Sequence, residues 1–241
     1  METILNIQNL YKHYEGIVAV DHANLSVTPA TITGIYGDNG AGKTTLFNLI
    51  IGIEKPDNGK IIFDEYDITD ANVIKRAKLG MGRLFQTPRV FGDVTVLDNL
   101  LAAGNNHEAK YMHNYILKYS TIRKNIIQDA QKAEKILVQF RLREKASLKA
   151  YELSVGEKKL LSLGCLLMNG AKFLLLDEPL AGINETMIAL IKNILITIKS
   201  CGITMLIIEH DQSSLFEIAD AIYEMEQGKL TNMNKADYAT C

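Results

Sequence analysis

Eight residues, Gly37-Asp38-Asn39-Gly40-Ala41-Gly42-Lys43-Thr44, limit the folds open to this chain more than any other stretch. They fit G-x-x-x-x-G-K-[ST] and lie between the apolar run Ile32 to Tyr36 and the helix-like Thr45 to Ile51, so the loop must join a buried strand to a helix. Glycines at 37, 40 and 42 let the backbone turn sharply, so that successive N–H groups face an anion, and the following helix adds the positive end of its dipole. Asp38 and Asn39 supply turn chemistry. Lys43 is placed to bridge β- and γ-phosphates, and the Thr44 hydroxyl to coordinate Mg²⁺. An ordinary strand-to-helix turn would account for the glycines. It leaves Lys-Thr unexplained, because Ala or Leu would serve better at the head of an apolar helix.

The 241 residues are 47% hydrophobic and 22% charged, which gives a globular chain with room for a sizeable core and its subdomain. A net charge of -2 offers no electrostatic footprint for nucleic acid. Cys165, Cys201 and Cys241 are odd in number and widely spaced without metal-ligand spacing; they read as reduced packing thiols of a cytosolic protein. The start, Met1-Glu2-Thr3-Ile4, has no basic segment leading into a long apolar stretch, so no targeting peptide is expected. Apolar runs such as Leu160 to Met168 fall far short of the roughly 18 to 20 residues of a membrane span.

Residues 4–36 are rich in strand signals, with Ile4, Ile7 and Leu10, then Val18, Val20, Leu25 and Val27, and turns at Glu15-Gly16 and Thr28-Pro29-Ala30. They predict an antiparallel edge layer. Strands are also expected at Lys60 to Phe63, after a turn at Pro56-Asp57-Asn58-Gly59, and near Leu79 to Phe85. Residues 95–170 have helical period instead, with Ile122, Ile126, Ile127, Ala130, Ala133, Ile136, Leu137 and Phe140 along one face. Phe173 to Leu176 and Ile203 to Ile208 are continuous apolar runs separated by the helical stretch Glu185 to Lys199, the pattern of buried parallel strands with a crossover. The fold class is therefore α/β. A core of about 1–85 and 171–241 is expected to hold an inserted helical subdomain of about 86–170.

Phe173 to Leu176 delivers Asp177-Glu178-Pro179 to the carboxyl edge of that parallel sheet, where ligands bind. Asp177 is placed to hold Mg²⁺ and Glu178 to orient or deprotonate the water attacking a γ-phosphate. Solvated acids at a strand end are the alternative, disfavoured by the phosphate loop on the same chain. About twenty residues upstream, Leu153-Ser154-Val155-Gly156-Glu157 contains S-x-x-E, a helix capping box. Capping does not need Gly156, which costs up to about 1 kcal/mol of helix propensity. Glycine there admits close approach of another group, and the helix N-terminus makes a second anion site. Both readings stand together.

These motifs, in this order, resemble the nucleotide-binding cassette of ATP-binding cassette (ABC) transporters over essentially the whole chain. The resemblance implies a P-loop NTPase (RecA-like) fold that binds ATP with Mg²⁺ and hydrolyses it. Gly37, Asp38, Asn39, Gly40, Ala41, Gly42, Lys43, Thr44 and Thr45 are similar to the Walker A region, Gln86 to the Q-loop glutamine, and Leu153 to Glu157 to the signature motif. Phe173 to Asp177 with Glu178 resembles Walker B plus the catalytic glutamate, Ala181-Gly182-Ile183-Asn184 the D-loop, and His210 the switch histidine. Tyr14 falls where the family stacks an aromatic ring on adenine; taken singly it reads as packing. The resemblance further implies Thr44, Gln86 and Asp177 around the metal, and catalysis by Glu178, His210 and Lys43. It also implies a head-to-tail pair of cassettes in which Ser154, Gly156 and Glu157 of one chain meet ATP on the other.

Gly82 to Phe91, Thr95 to Leu100 and Glu209-His210-Asp211 look most like the branched-chain amino acid import cassettes, with urea or amide importers of the same group close behind. That group implies membrane permease subunits, a solute-binding protein and a peripheral position on the inner face of the cell membrane. Lipopolysaccharide-export cassettes are the chief alternative, and a soluble non-transport ABC ATPase is a further one. Val155, Glu157 and Gly164-Cys165 depart from the commonest pattern, and the tail from Gly228 to Cys241 is short for such importers.

Overall fold

The computed structural model describes residues 3–104 and 119–233, which form two compact units. The first takes in residues up to 86, 172–181 and from 188 on; the second comprises Thr87–Ala171 and Gly182–Met187. Among the described residues no helix is long and apolar enough to cross a membrane.

Two sheets organise the first unit. β1 (Leu5–Tyr14), β2 (Ile17–Val27), β4 (Asn58–Phe63) and β5 (Tyr66–Asp67) make an antiparallel sheet in the order β2-β1-β4-β5. β3 (Ile32–Tyr36), β6 (Met81–Leu84), β7 (Phe173–Asp177), β8 (Thr204–Ile208), β9 (Ala221–Glu226) and β10 (Lys229–Met233) make the other, ordered β10-β9-β3-β8-β7-β6. Every ladder of this second sheet is parallel except β9 with β10. The strand-rich stretch 4–36 therefore divides: β1 and β2 supply the antiparallel layer, but β3 lies inside the parallel sheet between β8 and β9. Its five residues are all buried, as are those of β7 and β8. A strand covered on both faces gains from apolar residues at every position, which is why these runs do not alternate. Leu46, Phe47, Ile50, Ile61, Phe63 and Phe173 join one core, where the Phe63 and Phe173 rings meet edge to face at 5.5 Å.

Helix α1 (Lys43–Ile51) leaves the phosphate loop at the end of β3. It stops at Gly52, whose φ of 83° suits glycine and where a Cβ would stand 2.8 Å from Arg76 Nε. Arg76 projects from α2 (Val73–Lys78), is 1% exposed, and donates to the carbonyls of Leu49, Ile50, Thr69 and Ala71 at 2.6–3.0 Å. It thus places a positive charge at the negative end of the phosphate-loop helix. Burial holds its guanidinium down to about 10.

The second unit is helical: α3 (Val96–Ala103), α4 (Tyr119–Gln139) and α5 (Val155–Met168). Ala133, Ile136, Leu137 and Phe140 are buried along the expected face, whereas Ile126 and Ile127 are about half exposed and the Ile122 side chain lies outside the described residues. Gly164 explains itself here. A Cβ on it would stand 2.9 Å from both Ile136 Cγ2 and Leu100 Cδ2, so a larger residue would have to displace methyl groups of α3 and α4. Beside it, burial pushes the Cys165 thiol up to about 12, as a packing thiol requires, while Cys201 is exposed and Cys241 lies outside the described residues. Two further helices, α6 (Glu185–Ser200) and α7 (Gln212–Ile218), follow β7 and β8.

Candidate active site

The carboxyl ends of β3, β8, β7 and β6, four neighbours in the parallel sheet, deliver the phosphate loop, His210, Asp177-Glu178 and Gln86. The loop is held by its glycines at φ values of 155° (Gly37), 84° (Gly40) and 106° (Gly42). A Cβ at Gly37 would come within 2.1 Å of Met225 O, and at Gly42 within 2.0 Å of Ala19 O, so neither position accepts a side chain. No side chain caps the N-terminus of α1, and no acid stands in its first turn. Its leading N–H groups are therefore left for an anion. A cleft of about 600 Å³ opens there, lined by Tyr36, residues 37–41, His210, Gln212 and residues 224–227.

Lys43 is 6% exposed and its Nζ donates to the carbonyls of Gly37 and Asp38 at 2.6 and 2.8 Å, which curls the side chain back over the loop. Burial lowers its pKa, opposed by the nearby charges of Glu178, Asp38 and Asp177. Thr44 is exposed and Thr45 half-buried at the head of α1. Asp177 is buried, and its Oδ2 accepts from Arg83 Nη2 at 2.6 Å. Glu178 holds φ 48°, the left-handed region that a non-glycine residue rarely adopts, and its N–H donates to Ile208 O at 3.0 Å. Its carboxylate is held on both sides: Gln86 Nε2 donates to Oε2 at 2.5 Å, and His210 Nε2 lies 2.6 Å from Oε1. Glu178, Gln86 and His210 thus form one linked group.

Tyr14 ends β1 and is 40% exposed, so its ring stands at the edge of the sheet and not in the core. Lys12 Nζ stands 5.3 Å over its centroid, and Asp57 fixes that ammonium at 2.9 Å. The His13 backbone N–H and Lys12 hold the Asp57 carboxyl down to about 2.

In the second unit, Ser154 caps α5. Its Oγ accepts from Glu157 N at 3.3 Å, while Glu157 Oε2 accepts from Ser154 N at 3.0 Å. Lys145 Nζ reaches Glu157 Oε1 at 2.6 Å. Burial alone would raise the Glu157 carboxyl, but the hydrogen bonds from Lys145 and Ser154 bring it below its usual value. The room at Gly156 is used from within the same unit: a Cβ there would come 2.6 Å from Met187 Cγ. Asn184, in the segment that resembles the D-loop, caps α6 by accepting from Met187 N at 2.9 Å.

Thr44, Asp177 and Gln86 offer a hydroxyl, a carboxylate and an amide oxygen, the hard donors that suit Mg²⁺. Among the described residues no three His, Cys, Asp or Glu side chains converge on a metal site. Mg²⁺ held by so few protein groups would depend on non-protein oxygens for the rest of its ligands.

The sequence pattern of the family described as ABC transporter matches residues 20–181, well over half of the chain. The chain belongs to the ABC transporter family. As an ABC ATPase it binds and hydrolyses ATP as the energising subunit of a transporter. The cassette is 33% identical, over 97% of its own length and 90% of the relative's, to the probable branched-chain amino acid transport ATP-binding protein LivG of Archaeoglobus fulgidus. It is 30% identical, over 95% of its length and 89% of the relative's, to the lipopolysaccharide export system ATP-binding protein LptB of Acidithiobacillus ferridurans. It also resembles the crystal structure of a nucleotide-free ATP-binding cassette from an ABC transporter, at TM-score 0.80 and 35% identity, covering 95% of this chain and 90% of that one.

The sequence gives no individual role to Arg83, Glu209 or Met187. Arg83 was legible only as part of the run before Gln86. Glu209 is 3% exposed, and its Oε1 accepts from Leu180 N at 2.7 Å, which ties the end of β8 to the turn after the acid pair. Met187 looks like any apolar helix residue until Gly156 is placed against it.

Proposed function

We propose that the cassette drives import of branched-chain amino acids or related small polar solutes, working as one of a pair of cassettes peripheral to the inner face of the cell membrane, with permease subunits and a solute-binding protein. The observation that carries the catalytic part is the convergence of Lys43, Asp177, Glu178 and His210 on adjacent strand ends beside an uncapped helix. The cargo rests on the likeness to the archaeal LivG protein over nearly the whole of both chains. Export of lipopolysaccharide is the second reading, favoured by the match to LptB.

In this reading residues 37–45 wrap the phosphates with backbone N–H groups, and Lys43 turns from the carbonyls of Gly37 and Asp38 to the β- and γ-phosphate oxygens. Tyr14 stacks on adenine. Thr44, Asp177 and Gln86 would hold Mg²⁺, which would supply positive charge to the phosphates. Glu178 orients the attacking water and accepts its proton, and its bonds to Gln86 and His210 keep it aimed until the γ-phosphate arrives. His210, released from Glu178, then donates to the γ-phosphate. Ser154, Gly156 and Glu157 meet the γ-phosphate bound by the partner cassette, with the capping box fixing the head of α5 for that contact. ATP thereby favours the closed pair by differential binding, and hydrolysis removes the bridge. Gln86, at the boundary of the first unit, passes that change to the helical unit and the permease.

Glu178→Gln tests this. The variant should bind ATP, turn it over at least about 100-fold more slowly, and run as a dimer in gel filtration at saturating ATP. A variant that binds ATP and remains monomeric removes the paired-cassette reading.

A further inference from the structure

Arg83 has no part in the roles above, yet its guanidinium is 5% exposed and grips the carboxylate assigned to the cation. Nη2 donates to Asp177 Oδ2 and Nη1 to Asn48 Oδ1, each at 2.6 Å, so the fork is clamped between the end of β7 and the phosphate-loop helix. The rings of Phe85 and Phe47 flank it at 4.9 and 5.7 Å. Its Nε finds no acceptor. A buried cation with one donor unsatisfied is an expensive way to join two elements, and buried pairs of this kind are often replaceable by apolar residues with no loss of stability. Asp177 cannot be made apolar without losing the cation site.

Lys43 makes no ion pair with that carboxylate: its Nζ bonds the carbonyls of Gly37 and Asp38, and its charge acts on Asp177 only from a distance, whereas Arg83 is in direct contact. Asp177 is followed by a second acid, Glu178. Nucleotide phosphates arriving without a divalent cation would meet two carboxylates, and repulsion in a partly buried site is weakly screened. Asp177 Oδ1 accepts no hydrogen bond among the described residues, so the Arg83 contact occupies one oxygen and leaves the other.

We propose that Arg83 is the resident counter-ion and positioning residue of Asp177: it neutralises that carboxylate while the divalent cation is away, which lets nucleotide enter the site before the cation does. Asn48 keeps the guanidinium in place when Oδ1 engages the cation. This rests on the reading of Asp177 as the metal-binding carboxylate beside the phosphate loop.

The test is ADP affinity by calorimetry, with Mg²⁺ and with EDTA, for the wild-type chain, Arg83→Met, Arg83→Lys, Lys43→Ala and the pair Arg83→Met/Asp177→Asn. Arg83→Met should weaken binding about tenfold in EDTA and far less in Mg²⁺, widening the dependence on divalent cation. Arg83→Lys, which keeps the charge, should restore most of the EDTA affinity. The double variant removes both charges, leaves no buried carboxylate without its counter-ion, and should recover the EDTA affinity lost in Arg83→Met. Equal weakening of Arg83→Met in both buffers, or a double variant still weak in EDTA, overturns the counter-ion role. Lys43→Ala separates the two levels: if it binds ADP normally, the phosphate-loop reading itself fails, whereas loss of binding there leaves the result on Arg83 to be judged alone.

Discussion

At the residue scale, several carboxylates are partnered by side chains of the chain itself. Glu157 is the clearest in the second unit, because Lys145 and Ser154 together outweigh the effect of burial and depress its pKa. A carboxylate whose folded pKa lies below its unfolded value, about 4.3 for glutamate, stabilises the fold fully above that value. The contribution is lost as pH falls through the folded pKa. Wild type should therefore melt above Glu157→Gln at pH 6, by on the order of 2–4 °C for each kcal/mol in a chain of this size, and the two curves should converge towards pH 3. Thermal melts between pH 3 and 6 check this; a gap that persists at pH 3 would mean the glutamate acts through packing.

At the element scale, α5 is built so that its first turn can be approached. Ser154 and Glu157 cap it reciprocally, and Gly156 admits Met187 from the start of α6. Gly156→Ala should gain helix propensity of up to about 1 kcal/mol yet lose about 1–3 kcal/mol to overpacking against Met187, a net fall in stability. Met187→Ala in the same chain should return that loss, which a double-mutant cycle by chemical denaturation will read. The capping box and the glycine at this helix head were legible in the sequence, but the occupant of the space was not. Contact between residues thirty-one apart has no local signal. The same limit hid Arg83, since nothing local to β6 says that Asp177 and Asn48 will stand within reach. β3, β7 and β8 were readable because strands buried on both faces leave unbroken apolar runs. β9 and β10 carry little strand signal of their own, because Ala221–Glu226 mixes Ile222 and Met225 with two acids, and Lys229–Met233 has only Leu230 and Met233 as apolar residues. The exposure of Ile126 and Ile127 shows the converse, that helical period can extend past the face that packs.

At the scale of the whole molecule, no described helix is long and apolar enough to cross a membrane, and the chain belongs to a family of transporter ATPases, so its cargo is read in cells. Cells lacking this chain should lose uptake of radiolabelled leucine and isoleucine, restored by the wild-type gene and not by one carrying Glu178→Gln. Normal uptake with lipopolysaccharide missing from the cell surface would move the cargo to the export reading. The strand order β3-β8-β7 has a consequence of its own. Neighbouring strands lie about 4.8 Å apart, so the hydrogen-bond pitch of the backbone sets a span of roughly 10 Å between the ends of β3 and β7, with the strand that leads to His210 midway between them. The sheet is the ruler against which a phosphate chain is measured. Substitutions can blunt any one tooth of it, but only a change of strand order would alter its gauge.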